Sequence, residues 1–80
     1  MTVVNLQYYA QLREQAGASS EQLHTTATSL QELYEELRAR HGFSLGAESL
    51  KVAVNAQFSA WDHPLRDGDT IVFIPPVAGG

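Results

Sequence analysis

The residues best suited to chemistry lie at the carboxyl end of the chain, where residues 73–80 read FIPPVAGG. Two adjacent prolines cannot donate hydrogen bonds to a sheet, and they favour an extended path away from it. The six residues from Pro75 onward could reach roughly 20 Å. Glycine has no Cβ, so a Gly-Gly end is thin and leaves the last carbonyl unhindered. This ending predicts a tail that enters the active site of another protein.

The chemistry expected of such a tail is that of its terminal carboxylate. A carboxylate is a poor electrophile, and the simplest activation is reaction with ATP to give an acyl-adenylate. Replacing one carboxyl oxygen by sulfur then gives a thiocarboxylate, which is a better nucleophile. Two terminal glycines occur by chance in roughly 0.5% of chains. We therefore predict Gly80 as the reacting residue, and the tail before it comprises Pro75, Pro76, Val77, Ala78 and Gly79.

Other residue types that often carry chemistry show no such pattern. The chain has no cysteine, which excludes disulfides, thiolate metal sites and a cysteine nucleophile. His24, His41 and His63 have no metal-ligand spacing, so we predict no metal site. The Asp-Gly-Asp sequence at 67–69 lacks the remaining ligands of a calcium loop and predicts a turn.

Length and charge narrow the class of protein further. The 80 residues make one domain with a modest core and little room for a deep catalytic cleft. The net charge is −4 and the five basic residues are scattered, so nucleic acid is a poor candidate partner. The sequence shows neither a transmembrane run nor the features of a signal peptide. We expect a soluble cytoplasmic protein that binds no cofactor and is not itself an enzyme.

One amphipathic helix stands out in the middle of the sequence. Thr28 and Gln31 have the spacing of a capping box, which predicts an N-terminus near Thr28. Gly42 is well placed as the left-handed residue that ends the helix. Apolar residues recur at i, i+3, i+4 and i+7 and predict one buried stripe. The stripe consists of Leu30, Leu33, Tyr34 and Leu37.

Alternating apolar residues predict strands on both sides of this helix. The strands cover residues 2–10, 21–26, 50–54, 58–60 and 70–74. Residues 11–16 predict a short helical turn that ends at Gly17. Segregated strands and one main helix indicate an α+β fold. The order fits the ubiquitin-like β-grasp, a mixed sheet with the first and last strands side by side, so we assign residues 1–74 to a β-grasp domain and 75–80 to the tail.

The helix should cover only one face of this sheet. Alternation along the first and last strands places a second set of apolar side chains on the other face. That set consists of Val3, Tyr9, Val72 and Ile74. Together with Phe58 they could form an exposed apolar patch, and such patches often mark interfaces. We favour an interface over cover by loops and short strands.

The whole chain resembles the family of molybdopterin synthase small subunits (the MoaD family). The resemblance is sharpest in four segments: residues 9–14 (YAQLRE), 53–55 (AVN), 62–69 (DHPLRDGD) and 73–80 (FIPPVAGG). It implies that Gly80 is adenylated by an E1-like activating enzyme, which consumes ATP, and is converted to a thiocarboxylate with sulfur from a donor.

The same resemblance implies the partners and the product. The tail enters the large subunit of molybdopterin synthase and delivers sulfur to cyclic pyranopterin monophosphate, and two small and two large subunits form a heterotetramer. Tyr9, Phe58 and Ile74 match positions that dock the partner in that family.

Three other functions remain open from the sequence. A thiamine-pathway sulfur carrier shares the fold and the Gly-Gly end, although such carriers are usually shorter and do not usually have Pro-Pro before the tail. A ubiquitin-like protein modifier would join Gly80 to a lysine. A plain binding or toxin-antitoxin-like domain would leave the tail unexplained.

Overall fold

The computed structural model describes residues 2–76, and a five-stranded mixed sheet forms its centre. The strands are β1 (Thr2–Tyr8), β2 (Ser20–Thr25), β3 (Lys51–Val54), β4 (Gln57–Ser59) and β5 (Thr70–Ile74). Their order across the sheet is β2-β1-β5-β3-β4. The first and last strands therefore pair with each other, as the sequence predicted.

The pairing of β1 with β5 is parallel, and the other three pairings are antiparallel. Leu6 lies opposite Ile71 and Tyr8 lies opposite Phe73. All four side chains are at most 1% exposed. The side chains of this central strand pair thus form part of the hydrophobic core.

Two helices accompany the sheet, α1 (Ala10–Ala16) and α2 (Leu30–His41), with a short 3-10 turn at Ala47–Ser49. The predicted stripe of α2 is confirmed, because its four apolar residues are fully buried. The predicted turn before Gly17 is the helix α1, which buries Leu12. Gly17 and Gly42 end the two helices in the left-handed conformation, as expected.

The capping box predicted at Thr28 and Gln31 is wrong by one residue. Ser29 is the N-cap, and its hydroxyl accepts a hydrogen bond from the Glu32 backbone N–H at 3.3 Å. The Glu32 carboxylate in turn accepts from the Thr28 backbone N–H at 2.8 Å, which lowers the pKa of Glu32. The backbone N–H of Gln31 donates instead to the Trp61 carbonyl. A loop distant in sequence thus completes the helix end.

The acidic turn before β5 has a structural role, as the sequence predicted. Asp69 is only 7% exposed, and its carboxylate accepts hydrogen bonds from the Arg66 backbone N–H and the Asn55 side chain, both at 3.0 Å. Gly68 has a φ of 88°, which favours glycine. These contacts fix the turn from which β5 starts.

A cluster of three polar side chains joins β1, β2 and α2. The Tyr8 hydroxyl donates to Glu21 Oε2 at 2.6 Å, and His41 Nε2 lies 2.7 Å from the same oxygen. Burial raises the pKa of Glu21, but the bonds from Tyr8 and His41, together with nearby positive charge, outweigh it and lower the pKa overall. Burial and the bond to Glu21 raise the pKa of Tyr8.

We expect Glu21 to make the domain sensitive to acid. Its pKa is lower in the folded protein than in the unfolded chain, so its stabilisation is present above about pH 4.5 and is lost as the pH falls through the folded-state value. The melting temperature of the wild type should therefore fall more steeply below about pH 5 than that of Glu21→Gln. Glu35→Gln, at an exposed position of α2, is the control and should follow the wild type. Equal pH profiles for all three proteins would contradict this role.

Candidate functional site

The root of the tail lies where β5 ends. Ile74 is the last residue of β5, and Pro75 and Pro76 follow outside any regular element. Pro75 is half-buried and Pro76 is exposed. Val77, Ala78, Gly79 and Gly80 lie outside the described residues, so their part in the site stays a prediction.

The parallel pairing brings the end of β1 to the same edge of the sheet. β1 ends at Tyr8, so the strand predicted over residues 2–10 is two residues too long. Tyr9 caps α1, and Ala10 begins the helix with a φ of 50°. A non-glycine residue rarely adopts this left-handed conformation, which costs about 1–2 kcal/mol. This sharp turn brings α1 close to the chain that leaves β5.

Two grooves flank Pro75 and Pro76. The larger one, which we call the root groove, has a volume of about 950 Å³. Its walls are formed by one side of α1 and by the end of β5 with the prolines: Tyr9, Ala10, Gln11, Glu14, Gln15, Ile74, Pro75 and Pro76. The smaller groove, of about 400 Å³, lies on the other side of the prolines and is lined by residues 48–51. Pro75 and Pro76 therefore border open space in both grooves.

The face of the sheet opposite α2 is only partly open, because Val3 and Val72, two of the apolar residues predicted there, are half-buried. Register places Phe58, Ala53 and Val72 in one row across β4, β3 and β5. Phe58 is 72% exposed and Tyr9 is 51% exposed. Ile74 is half-buried. The open face therefore carries large apolar side chains that the domain itself does not cover.

The three predicted docking residues are not all neighbours. Tyr9 and Ile74 share the root groove, whereas Phe58 lies on the edge strand two strands away from β5. Lys51 connects the two parts, because it pairs with Ile74 and its ammonium group lies 5.8 Å from the centre of the Phe58 ring. Sequence reasoning did not single out Lys51, although its position in an alternating strand would have placed it on this face.

The histidines take part in local contacts. His41 binds Glu21, the His63 carbonyl accepts from the Leu30 backbone N–H, and His24 pairs with Val3 in the sheet. Within residues 2–76, no group of three or more histidine, cysteine, aspartate or glutamate side chains is placed to hold a metal ion. In the same part of the chain, no helix is long and apolar enough to cross a membrane.

The chain is similar in sequence to proteins of a known family. The model of the ThiS family matches residues 6–80. The molybdopterin synthase sulfur carrier subunit of Escherichia coli strain K12 is 32% identical over 98% of this chain and 100% of its own length.

Solved structures show the same fold. Small archaeal modifier protein 1 of Haloferax volcanii superposes with a TM-score of 0.82 over 96% of this chain and 100% of that chain, at 18% identity. A complex of subunits 1 and 2 of the molybdopterin-converting factor from Helicobacter pylori contains a chain with a TM-score of 0.69 and 25% identity, covering 99% of this chain and 100% of that one.

The mixed sheet and these neighbours define a ubiquitin-like β-grasp domain of the α+β class. The chain belongs to the ThiS family. The resemblance and the fold class inferred from the sequence are thereby confirmed.

We expect the apolar residues of the open face to matter little for folding. Phe58→Asp should change the free energy of unfolding by no more than about 0.5 kcal/mol, because the ring is mostly in water already. Ile74→Asp should cost more, since Ile74 is half-buried, but less than Leu33→Ala. Leu33 is fully buried, and its truncation should cost about 2–5 kcal/mol. Thermal and urea melts of the three variants would decide, and loss of folding in Phe58→Asp would show that the patch belongs to the core.

Proposed function

We propose that this protein is the sulfur-carrier subunit of a molybdopterin synthase. The observation that carries the proposal is that the sequence continues from the end of β5 through Pro75 and Pro76 to a Gly-Gly ending, in a chain that matches the family over residues 6–80. The similarity to the Escherichia coli sulfur carrier subunit over nearly the full chain supports the same assignment.

The proposed chemistry takes place at Gly80. Its carboxylate attacks the α-phosphate of ATP in an E1-like adenylating enzyme, and pyrophosphate leaves. A sulfur donor then displaces AMP, so that the terminus becomes a thiocarboxylate. In the large subunit the thiocarboxylate sulfur bonds to cyclic pyranopterin monophosphate. Water then cleaves the bond between this sulfur and the Gly80 carbonyl carbon, which restores the carboxylate, and two such transfers complete one product. The reactive groups belong to the tail and to the partners.

The role of this chain's own residues is to bind and to orient. Pro75 and Pro76 restrict the path of the tail, which reduces the entropy lost when a partner orders it. Tyr9, Phe58 and Ile74 supply apolar contact area beside the root. In this proposal the chain is a non-catalytic subunit that binds no cofactor. The activating enzyme consumes the ATP, and the process takes place in the cytoplasm.

The partner expected on this surface is the large subunit of the synthase. The Helicobacter pylori neighbour is a complex of subunits 1 and 2 of its molybdopterin-converting factor. An exposed apolar face with a tail at its edge has the form that such a complex needs, since one docking event would both cover the face and direct the tail.

Deleting Gly80, or adding one residue after it, should abolish sulfur transfer without unfolding the domain. The deletion leaves a carboxylate in the wrong place, and the extension replaces the reactive glycine carboxylate by a peptide bond. Intact-protein mass spectrometry after incubation with the adenylating enzyme, ATP and a sulfur donor should show the exchange of one oxygen for sulfur in the wild type but in neither of these two variants. Ala78→Ser, which keeps the length of the tail, is the control. Normal product formation by the deletion variant would refute the carrier function.

Loss of the gene should distinguish this proposal from its alternatives. A molybdopterin carrier predicts loss of molybdoenzyme activity with normal growth in the absence of thiamine. Thiamine auxotrophy would favour the thiamine-pathway carrier. Adducts on cellular lysines that disappear with a Gly80 deletion would favour a protein modifier, a function named for the Haloferax volcanii neighbour, whose 18% identity shows the fold alone.

A further inference from the structure

The root groove is lined mainly by apolar surface and by one charged residue. Tyr9, Ile74, Pro75 and Pro76 provide a ring and aliphatic surface. Glu14, an exposed residue of α1, lines the same groove. A groove of this composition suits a ligand that is flat and positively charged.

The Glu14 carboxylate is not neutralised by a neighbour. The ion pair found within residues 2–76 joins His41 to Glu21, and the side-chain hydrogen bonds of this part of the chain do not include Glu14. Arg13, the neighbouring residue of α1, lies on another face of the helix. It lines a separate depression together with Ser19 and Ser20. The negative charge in the root groove therefore remains available to a partner.

Two glutamines that line the same groove, Gln11 and Gln15, form hydrogen bonds with Ser44. The side-chain amides of Gln11 and Gln15 donate to the Ser44 hydroxyl at 2.8 and 3.0 Å, and Gln15 also accepts from the Ser44 backbone N–H at 3.1 Å. These bonds hold α1 against the loop after α2. The helix that carries Glu14 is therefore held in place by these hydrogen bonds.

Backbone strain lies in the same groove. Ala10 adopts a φ of 50° and is exposed, so no burial of its own side chain compensates for the strain. Strained residues held by their surroundings are frequent at sites that bind ligands. Ala10 lies between Tyr9 and the helix that carries Glu14, and all three residues line the groove.

We propose that the root groove binds an arginine side chain of the protein that docks on the open face. The guanidinium plane stacks on the Tyr9 ring or on the prolines, and its N–H groups bind the Glu14 carboxylate. Arginine fits better than lysine because its planar, weakly hydrated group stacks on aromatic faces and offers several donors at once. The identity of the partner as the synthase large subunit rests on the proposed function, whereas the guanidinium site does not.

The groove itself is tested on the full chain by NMR. Titration with N-acetyl-L-arginine methylamide should shift the backbone amide signals of Tyr9, Ala10 and Glu14. The citrulline analogue has the same shape without the charge and should not shift them. Glu14→Gln should abolish the response, and Glu35→Gln, on the far surface of α2, should retain it. Equal responses to both compounds, or an unchanged response in Glu14→Gln, would overturn the site.

The partner is tested separately by calorimetry with the large subunit. Glu14→Gln should weaken binding roughly tenfold at low salt, and the difference should shrink as salt screens the charge. Glu14→Asp keeps the charge and should recover most of the affinity, and Glu35→Gln should bind like the wild type. Thermal melts confirm that each variant is folded.

The two experiments fail in different ways. Wild-type protein that does not bind the large subunit would refute the proposed function while the NMR result still decides the groove. Binding that is unaffected by Glu14→Gln would refute the placing of a large-subunit arginine in the groove.

Discussion

The parallel pairing of β1 with β5 is the contact on which the arrangement at the tail root depends. Parallel strands end at the same edge of a sheet, and here Tyr8 lies opposite Phe73. The chain leaving β1 must turn immediately, and the chain leaving β5 must pass beside that turn. If these strands were antiparallel, the tail would leave at the opposite edge from Tyr9 and Glu14. The buried core contacts of this pair therefore also determine which surface residues lie beside the tail.

The small size of the domain explains why one face of the sheet stays open. A single long helix, α2, buries four apolar residues against the sheet, and α1 is too short to form a second layer. The helix α1 adds only Leu12 to the same hydrophobic core. Phe58 and Val72 consequently remain on a face without a covering element. A domain of this size has too little chain to cover both faces of its sheet.

Much of this arrangement follows from sequence patterns that depend on local geometry. The stripe of α2 and the alternation in β1 and β5 predicted the core, and the final strand was placed correctly. The helix cap was misplaced by one residue because two overlapping pairs, Thr28 with Gln31 and Ser29 with Glu32, both have the capping-box spacing. The contacts between the free N–H groups of the helix and residues 61–63 are also invisible to a local pattern. The root groove was missed for a similar reason. It depends on the left-handed turn at Ala10, for which alanine gives no signal.

A tail that reacts in two proteins constrains the body more than a tail that reacts in one. On the proposed function, both the adenylating enzyme and the large subunit must bind the root of the tail. Ile74 lines both the root groove and the smaller groove, so either partner would contact it. Apolar contact at Ile74 distinguishes the two partners poorly, because area alone carries little specificity. A charged residue beside the root distinguishes partners better. A partner that covers this charge without supplying an opposite one binds with lower affinity. Glu14 lines the root groove and Lys51 lines the smaller one. On the proposed function, a partner therefore meets a different charge according to the side from which it approaches the root.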